Sequence, residues 1–376
     1  MTARSPHRAW IEIDHRALVD NLATVRRLAG DRKQVIGVVK ANAYGHGDLA
    51  TARTLLAAGV ERLAVATVSE ALRLRAAEIA APILVLWGVG EPEAGPAVAA
   101  DLELTVFDSR SVRLLEAAAQ AGGRRASVHL KVDTGLGRQG TEPEEAVELA
   151  LAIARSSNLR LVGAYTHLAA PGEDDAFSEV QLLRMARVLD GMRSSGVEPG
   201  LIHVSASSGI LAGIADFADA VRPGLALYGL VPGWAADRET GLRPVLSLSA
   251  TPLRLFDLAA GAGVGYGHRF RAERATRIAT LGIGYGDGWP RSHANNGWTL
   301  VRGERAQVVG AISMDGLTVD IGGIDGVTYD DVFVLIGEQG AAKITADQVA
   351  SERRTINYEV TTALRERLPR IHLGAG

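Results

Sequence analysis

The chain has 376 residues, 22% of them charged and 47% hydrophobic, with a formal net charge of -3. That balance belongs to an ordinary globular protein, and it supplies neither the basic stripe that nucleic acid requires nor the polybasic patch that draws a protein to an anionic membrane. Cysteine is absent, which excludes disulfides, thiolate nucleophiles and cysteine-based metal sites, and no metal site is expected.

The first stretch, "MTARSPHRAWIEID", has basic residues but no apolar segment behind them and does not read as a signal peptide. The longest uncharged apolar run, "IAAPILVLWGVG", falls short of the roughly 20 residues of a membrane span. A cytoplasmic location is therefore expected. "HRALVDNLATVRRLAG" has helical periodicity, and from residue 34 to 228 eight β-rich runs alternate with helical patterns. The runs are "QVIGVVK", "RLAVATV", "PILVLWG", "LELTVF", "SVHLKVD", "LVGAYTH", "LIHVSAS" and "VRPGLALYG". Among the helices between them are "SEALRLRAAEIA", for which Ser69 is the expected N-cap, and "EPEEAVELALAIARSS". Eight such alternations predict an α/β fold of the TIM-barrel type, with the helix before the first run closing the outer ring. An open doubly wound sheet, the alternative, needs a reversal of strand order that sequence does not exclude. After Pro244 the pattern changes to short strands and glycine turns, and helices return only in "TADQVASERRTINYEVTTALRERL". The expected division is a barrel over residues 11–240 and a mainly β domain over 241–376, joined by residues 1–10.

Lys33, Lys40, Lys131 and Lys343 are the only lysines among 40 basic residues. Where arginine meets nearly every need for positive charge, a retained lysine can serve where arginine cannot, by forming a Schiff base or shifting its pKa on burial. Lys40 and Lys131 end apolar strands. In a barrel the chemistry gathers at the C-terminal ends of the strands, where Lys40, Lys131, His167, Ser207 and Arg222 all fall. The plainer readings are a lysine snorkelling from a strand end and a histidine satisfied in the core. Two glycine-rich segments, "GAGVGYGH" and "GIGYGDGW", lack the strand, helix and distant acid of a dinucleotide site. Their glycines flank Tyr266 and Tyr285, allowing a phenol to sit close to another surface.

"VVKANAYGHG", around Lys40, resembles the cofactor-lysine signature of the alanine racemases. "HLKVDTGLGRQG", "YTHLA", "VRPGLALYG", "GVGYGH", "GYGDGWPR", "SMDGLTVD" and "TINYEV" resemble further family segments, in family order and over almost the whole chain. The resemblance implies a barrel with a β domain, pyridoxal 5'-phosphate as cofactor, L- and D-alanine as substrates and a head-to-tail homodimer. It implies that Lys40 holds the cofactor through its amine and, once freed, acts as the base on the D-alanine face. Tyr266 would act on the L-alanine face, polarised by His167, and Arg222 would meet the pyridine nitrogen. Tyr44, Ser207, Tyr358 and the backbone N–H groups of Gly224 and Leu225 would grip the phosphate. Arg138 would contact the cofactor's phenolic oxygen and the substrate carboxylate, with Met314 and Asp315 bordering the substrate. Lys131 matches a position often carbamylated in the family; a salt bridge to Asp133 is the alternative. Tyr266, Met314 and Asp315 would reach the partner subunit's site.

Three departures bear on specificity. Ala206 stands where the family usually has Asn, Ala311 where Arg is common and Ser313 where Cys is common. Ala311 thereby removes one member of a cluster with Tyr285 and Arg291 that, as the resemblance implies, narrows the substrate entrance. The rivals are a broader racemase accepting serine, a non-catalytic pyridoxal-phosphate carrier, a two-domain decarboxylase and an inactive scaffold. Carriers usually lack the β domain, and a decarboxylase is expected to use cysteine.

Overall fold

The computed structural model describes residues 7–30, 32–214 and 216–374, which form two compact units. One comprises residues 18–43 and 48–243; the other comprises residues 1–17, 44–47 and 244–376. The second unit therefore takes more of the N-terminal region than the expected ten residues, and a short piece just after Lys40.

Strand β1, Ala9–Asp14, belongs to the second unit. In the first unit, β2 (Gln34–Val38), β3 (Arg62–Val65), β4 (Ile83–Val85), β5 (Glu103–Val106), β6 (Ala126–Lys131), β7 (Leu159–Tyr165), β8 (Leu201–Ala206) and β9 (Ala220–Arg222) form a closed barrel. Every neighbouring pair is parallel, and β2 closes on β9 through Gln34 opposite Ala220 and Val35 opposite Val221. Helices follow the strands, so both faces of the sheet are covered; β4, β5 and β6 are buried at every position. The eight runs expected from sequence are the eight strands. The last is shorter than its run, because "LALY" turns into a 3-10 helix over Leu225–Tyr228.

The helix after β3 runs from Val68 to Ala76, and its N-cap is Thr67 instead of Ser69. The Thr67 hydroxyl accepts from the Glu70 N–H while the Glu70 carboxylate accepts from Thr67 N–H, a reciprocal capping box that Ser69 could not form at its position. Among the described residues no helix is long and apolar enough to cross a membrane.

In the second unit β1 pairs antiparallel with β10 (Leu246–Ala250) and parallel with β20 (Arg370–Leu373), so "RAWIEI" is an interior strand of this sheet. The sheet continues through β11 (Pro252–Leu258), β14 (Thr276–Leu281), β15 (Trp298–Val301), β16 (Glu304–Val309), β17 (Leu317–Asp320) and β18 (Phe333–Gln339), with β19 (Ala342–Ile344) beside β18. The short strands β12 (Gly263–Val264) and β13 (Phe270–Arg271) form a hairpin that presents the turn Tyr266–His268. Its base is tied down by a cluster of Leu258, Val264, Ala272, Ile278 and Val309. Burial of these side chains stabilises the hairpin root on the order of 1.5–3 kcal/mol per large side chain.

Candidate active site

Lys40 lies two residues beyond β2, at the C-terminal mouth of the barrel. The chain after it follows an unusual course: Ala41, Asn42, Ala43 and Tyr44 have φ of 52°, 54°, 53° and 55°. Four consecutive left-handed residues without a glycine carry a steric cost of roughly 1–2 kcal/mol each, so other contacts must hold them. Several do. Glu70 Oε1 accepts from Ala41 N–H at 2.6 Å, and its Oε2 accepts from Ala66 and Thr67 N–H. Asn42 Oδ1 accepts from Asp48 N–H, and the Ala43 N–H donates to Val39 O. The left-handed turn fixes the residue it follows, and backbone strain of this kind gathers at functional sites.

Around Lys40 the barrel mouth is cationic. Burial lowers the Lys40 pKa, the nearby Arg138 lowers it further, and Glu70 opposes both. Lys131, the last residue of β6, is pushed down to about 8 by burial, with Arg138 and Arg222 adding to the effect. The salt bridge from Lys131 to Asp133, the alternative to carbamylation, is not formed. Asp133 instead organises the "DTGLGR" loop: its Oδ1 accepts from the N–H groups of Gly135, Leu136 and Gly137, and its Oδ2 from that of Arg138. Those bonds outweigh burial and hold its carboxyl below the usual range. They also set the backbone of Arg138, whose guanidinium lies 5.6 Å over the Trp87 ring.

Arg222 ends β9 and is buried. Its Nη1 donates to His203 Nδ1 at 2.8 Å, and its Nη2 to the carbonyls of Thr166 and Val204 at 2.8 Å and to His167 Nδ1 at 3.3 Å. A guanidinium has no acceptor, so the His167 nitrogen facing it must be unprotonated and the ring proton sits on Nε2. Burial, then Arg222, Arg138 and the two lysines, hold the His167 pKa well below normal, so the ring is neutral. Arg222 itself is lowered by burial to about 10 and stays charged at neutral pH. Its Nε–H has no partner among the described residues.

Ser207 follows β8, and its Oγ accepts from the N–H groups of Gly224 and Ala226 at 3.0 and 3.1 Å. The structure thus brings Ser207 beside Gly224, and Leu225 opens the 3-10 helix next to them. Lys40, Lys131, Arg138, His167, Ser207, Arg222, Gly224 and Leu225 all belong to the barrel unit.

The remaining expected residues belong to the second unit. Tyr44 is buried with its ring 6.2 Å from that of Tyr358; burial and then Tyr358 raise its pKa, so the phenol is neutral. Tyr266 is 73% exposed between Gly265 and Gly267, both at positive φ. Met314 is 52% exposed, and Asp315 is paired with Arg367 at 2.6 Å. Tyr285 binds Ser313 O through its backbone, whereas Arg291 is exposed with no bond to either among the described residues. Ser313 knits its own turn, donating to Gly316 O and accepting from Gly316 N–H. Ala311 and Ser313 line a cavity of about 390 Å³ together with Tyr266, Thr280, Leu317 and Thr318.

Sequence reading missed the barrel interior beneath Arg222. Tyr165 stacks on His203 with centroids 4.6 Å apart, and its hydroxyl meets Thr105 at 2.8 Å. His129 and Glu103 extend the contact chain from His203. The available signal was polar residues within otherwise apolar strands.

Residues 13–232 match the family model described as the alanine racemase N-terminal domain, and residues 245–372 the one described as the C-terminal domain. The alanine racemase of Desulforamulus reducens is 38% identical over 97% of this chain and 99% of its own. A crystal structure of alanine racemase from a D-cycloserine-producing Streptomyces lavendulae superposes with a TM-score of 0.92 at 35% identity, covering 99% of this chain and 98% of the other. The alanine racemase of Bartonella henselae, with covalently bound pyridoxal phosphate, gives 0.86 at 28% identity, covering 98% and 100%. With its fold, both domains and nearly its full length in common with these proteins, this chain belongs to the alanine racemase family.

Proposed function

We propose that the protein interconverts L-alanine and D-alanine with pyridoxal 5'-phosphate, as a head-to-tail homodimer in the cytoplasm, and so supplies D-alanine for peptidoglycan. The observation that carries this reading is the composition of the barrel mouth. An amine below its ordinary pKa stands among Lys131, Arg138 and a buried Arg222 whose Nε–H is unused among the described residues. This donor set suits an aldehyde cofactor that brings a phosphate, a phenolate and a ring nitrogen.

Lys40 would hold the cofactor covalently, Arg222 would meet its ring nitrogen, and Ser207 with Gly224, Leu225, Tyr44 and Tyr358 would hold the phosphate. When bound, pyridoxal phosphate withdraws electron density from the α-carbon of an attached amino acid and makes its proton acidic. The rest of the work falls to the chain. Arg222 keeps its own proton at neutral pH, which limits that withdrawal and favours prompt return of the α-proton. Lys40, whose pKa burial and then Arg138 lower, would take or return the proton on the D-alanine face. Tyr266 of the partner subunit does the same on the L-alanine face; its exposure on its own protomer supports a role across an interface. His167 presents a neutral Nε2–H donor that can stabilise a phenolate. Arg138 holds the substrate carboxylate, with the partner's Met314 and the partner's Asp315 beside it. Lys131, with a fraction of free amine near pH 8, can take up carbon dioxide, forming an N–C bond and releasing a proton. The resulting carbamate would position Arg138.

Deuterium exchange tests the two-base assignment. In D2O, a Tyr266→Phe variant should lose exchange into L-alanine by on the order of a hundredfold while exchange into D-alanine persists. Equal losses from both enantiomers would sink it.

A second reading is favoured by the cavity beside Tyr266. Lined by Ala311, it offers about 390 Å³ where a longer side chain would subtract space, and a racemase that also accepts serine fits it.

A further inference from the structure

The barrel interior below Arg222 holds a continuous chain of polar side chains that the proposed chemistry does not use. Arg222 Nη1 lies 2.8 Å from His203 Nδ1; His203 Nε2 lies 2.9 Å from His129 Nδ1; His129 Nε2 lies 3.1 Å from Glu103 Oε2. Glu103, the first residue of β5, also meets Arg62 Nε at 3.4 Å, and Arg62 Nη1 donates to Gln34 Oε1. The two histidines are fully buried. The barrel makes room for them: a Cβ on Gly163, opposite His129 on β7, would overlap the His129 ring, and Tyr165 stacks flat on His203.

The direction of this chain follows from the one member that cannot accept. A guanidinium only donates, so His203 Nδ1 must offer its lone pair. The proton of neutral His203 is then on Nε2 and is donated to His129 Nδ1, which must in turn be bare. The proton of His129 is on Nε2 and is donated to the Glu103 carboxylate. Reversing any one bond would set two donors or two lone pairs face to face in the buried core, at a cost of about 1–3 kcal/mol. The charge states of His203 and Glu103 agree. Burial and the Arg222 charge hold His203 well below its ordinary pKa, and although burial raises Glu103, the bond from His129 and the charge of Arg62 outweigh it.

We propose that Glu103, His129 and His203 are positioning residues, a one-way hydrogen-bond relay that locks Arg222 as a charged donor beneath the cofactor. The anion at the bottom of the barrel fixes both imidazole tautomers, and the last bare nitrogen holds the guanidinium plane. Its effect on catalysis rests on the functional reading above, because only there does Arg222 meet the cofactor ring; the proton order itself does not.

Two measurements test it. With 15N-labelled histidine, the protein as purified should show both His129 and His203 as neutral Nε2–H tautomers. An Nδ1–H tautomer or a cationic ring for either would overturn the relay. The second is the dissociation constant for pyridoxal phosphate. Glu103→Gln and His129→Phe should each weaken binding about tenfold, the scale seen when outer partners of a binding group are removed. The double variant should be no weaker than His129→Phe alone, because both break the same chain. His129→Asn, which can still accept from His203, should restore most of the affinity and the His203 tautomer. Losses that simply add, or an Asn variant no better than Phe, would reduce these residues to core packing and overturn the proposal. A wild-type protein that binds no pyridoxal phosphate would overturn the functional reading instead, with the tautomers still deciding the relay.

Discussion

Lys40 and Lys131 show what the removal of water and the presence of like charge do to an amine. Lys131 is buried and Lys40 half-buried, and both are depressed, Lys131 to about 8. In a chain that otherwise uses arginine, these lysines sit where burial and neighbouring cations favour the free amine. For Lys131 the consequence is measurable. With 13C-bicarbonate, the protein should give a carbamate resonance that is absent in Lys131→Ala, and activity of that variant should be partly restored by small carboxylates; a spectrum without that resonance contradicts the modification. The strand-end residues Lys40, Lys131 and Arg222 were legible in sequence because each interrupts an apolar run at its C-terminal end. Glu103 and His129 were not, because a polar residue inside a strand looks the same whether it faces water or a neighbouring polar group. Only closure of the barrel, which brings β5, β6 and β8 around one interior, distinguishes them.

At the scale of elements, the turn after Lys40 is the most demanding piece of backbone in the barrel. Nothing in "KANAY" announces four left-handed residues: only Asn42 has any liking for that region, and glycine is missing from the strained positions. The restraint comes from 29 residues away, where Glu70 caps its own helix and clamps Ala41 N–H with the same carboxylate. Local sequence signals a capping box here but cannot show that it serves two elements. Glu70→Ala should therefore cost on the order of 2 kcal/mol in stability, more than a lone cap, through hydrogen bonds to a charged acceptor. It should also lower turnover by tenfold or more, since Lys40 would lose its fixed approach; calorimetry and steady-state kinetics check both, and a variant as active as wild type would contradict this role for the turn.

For the whole molecule, the division of residues supports the proposed head-to-tail dimer. Lys40, His167 and Arg222 lie in the barrel unit and Tyr266 and Met314 are exposed on the other. In the proposed dimer each site would take Lys40 from one protomer and Tyr266 from its partner. Co-expressing Lys40→Ala with Tyr266→Phe then gives heterodimers in which one site carries both lesions and the other none. Random pairing should recover about a quarter of wild-type activity from two nearly inactive parents. No recovery would place both groups within a single protomer's site. The overall architecture was readable from sequence because β/α alternation and the change after Pro244 are long patterns. The allocation of residues 11–17 and 44–47 to the second unit was not, since it depends on pairing between distant strands such as β1 with β20.

The most direct measurement is the optical rotation of L-alanine, with L-serine in parallel, incubated with the purified protein and pyridoxal phosphate. The rotation of alanine should decay to zero, at least a thousandfold faster than with Lys40→Ala, and serine should decay more slowly if the methyl group sets the limit. Rotation that persists for both amino acids, in protein whose Lys40 is nevertheless shown by borohydride reduction to carry the cofactor, would contradict the racemase and leave a carrier in its place.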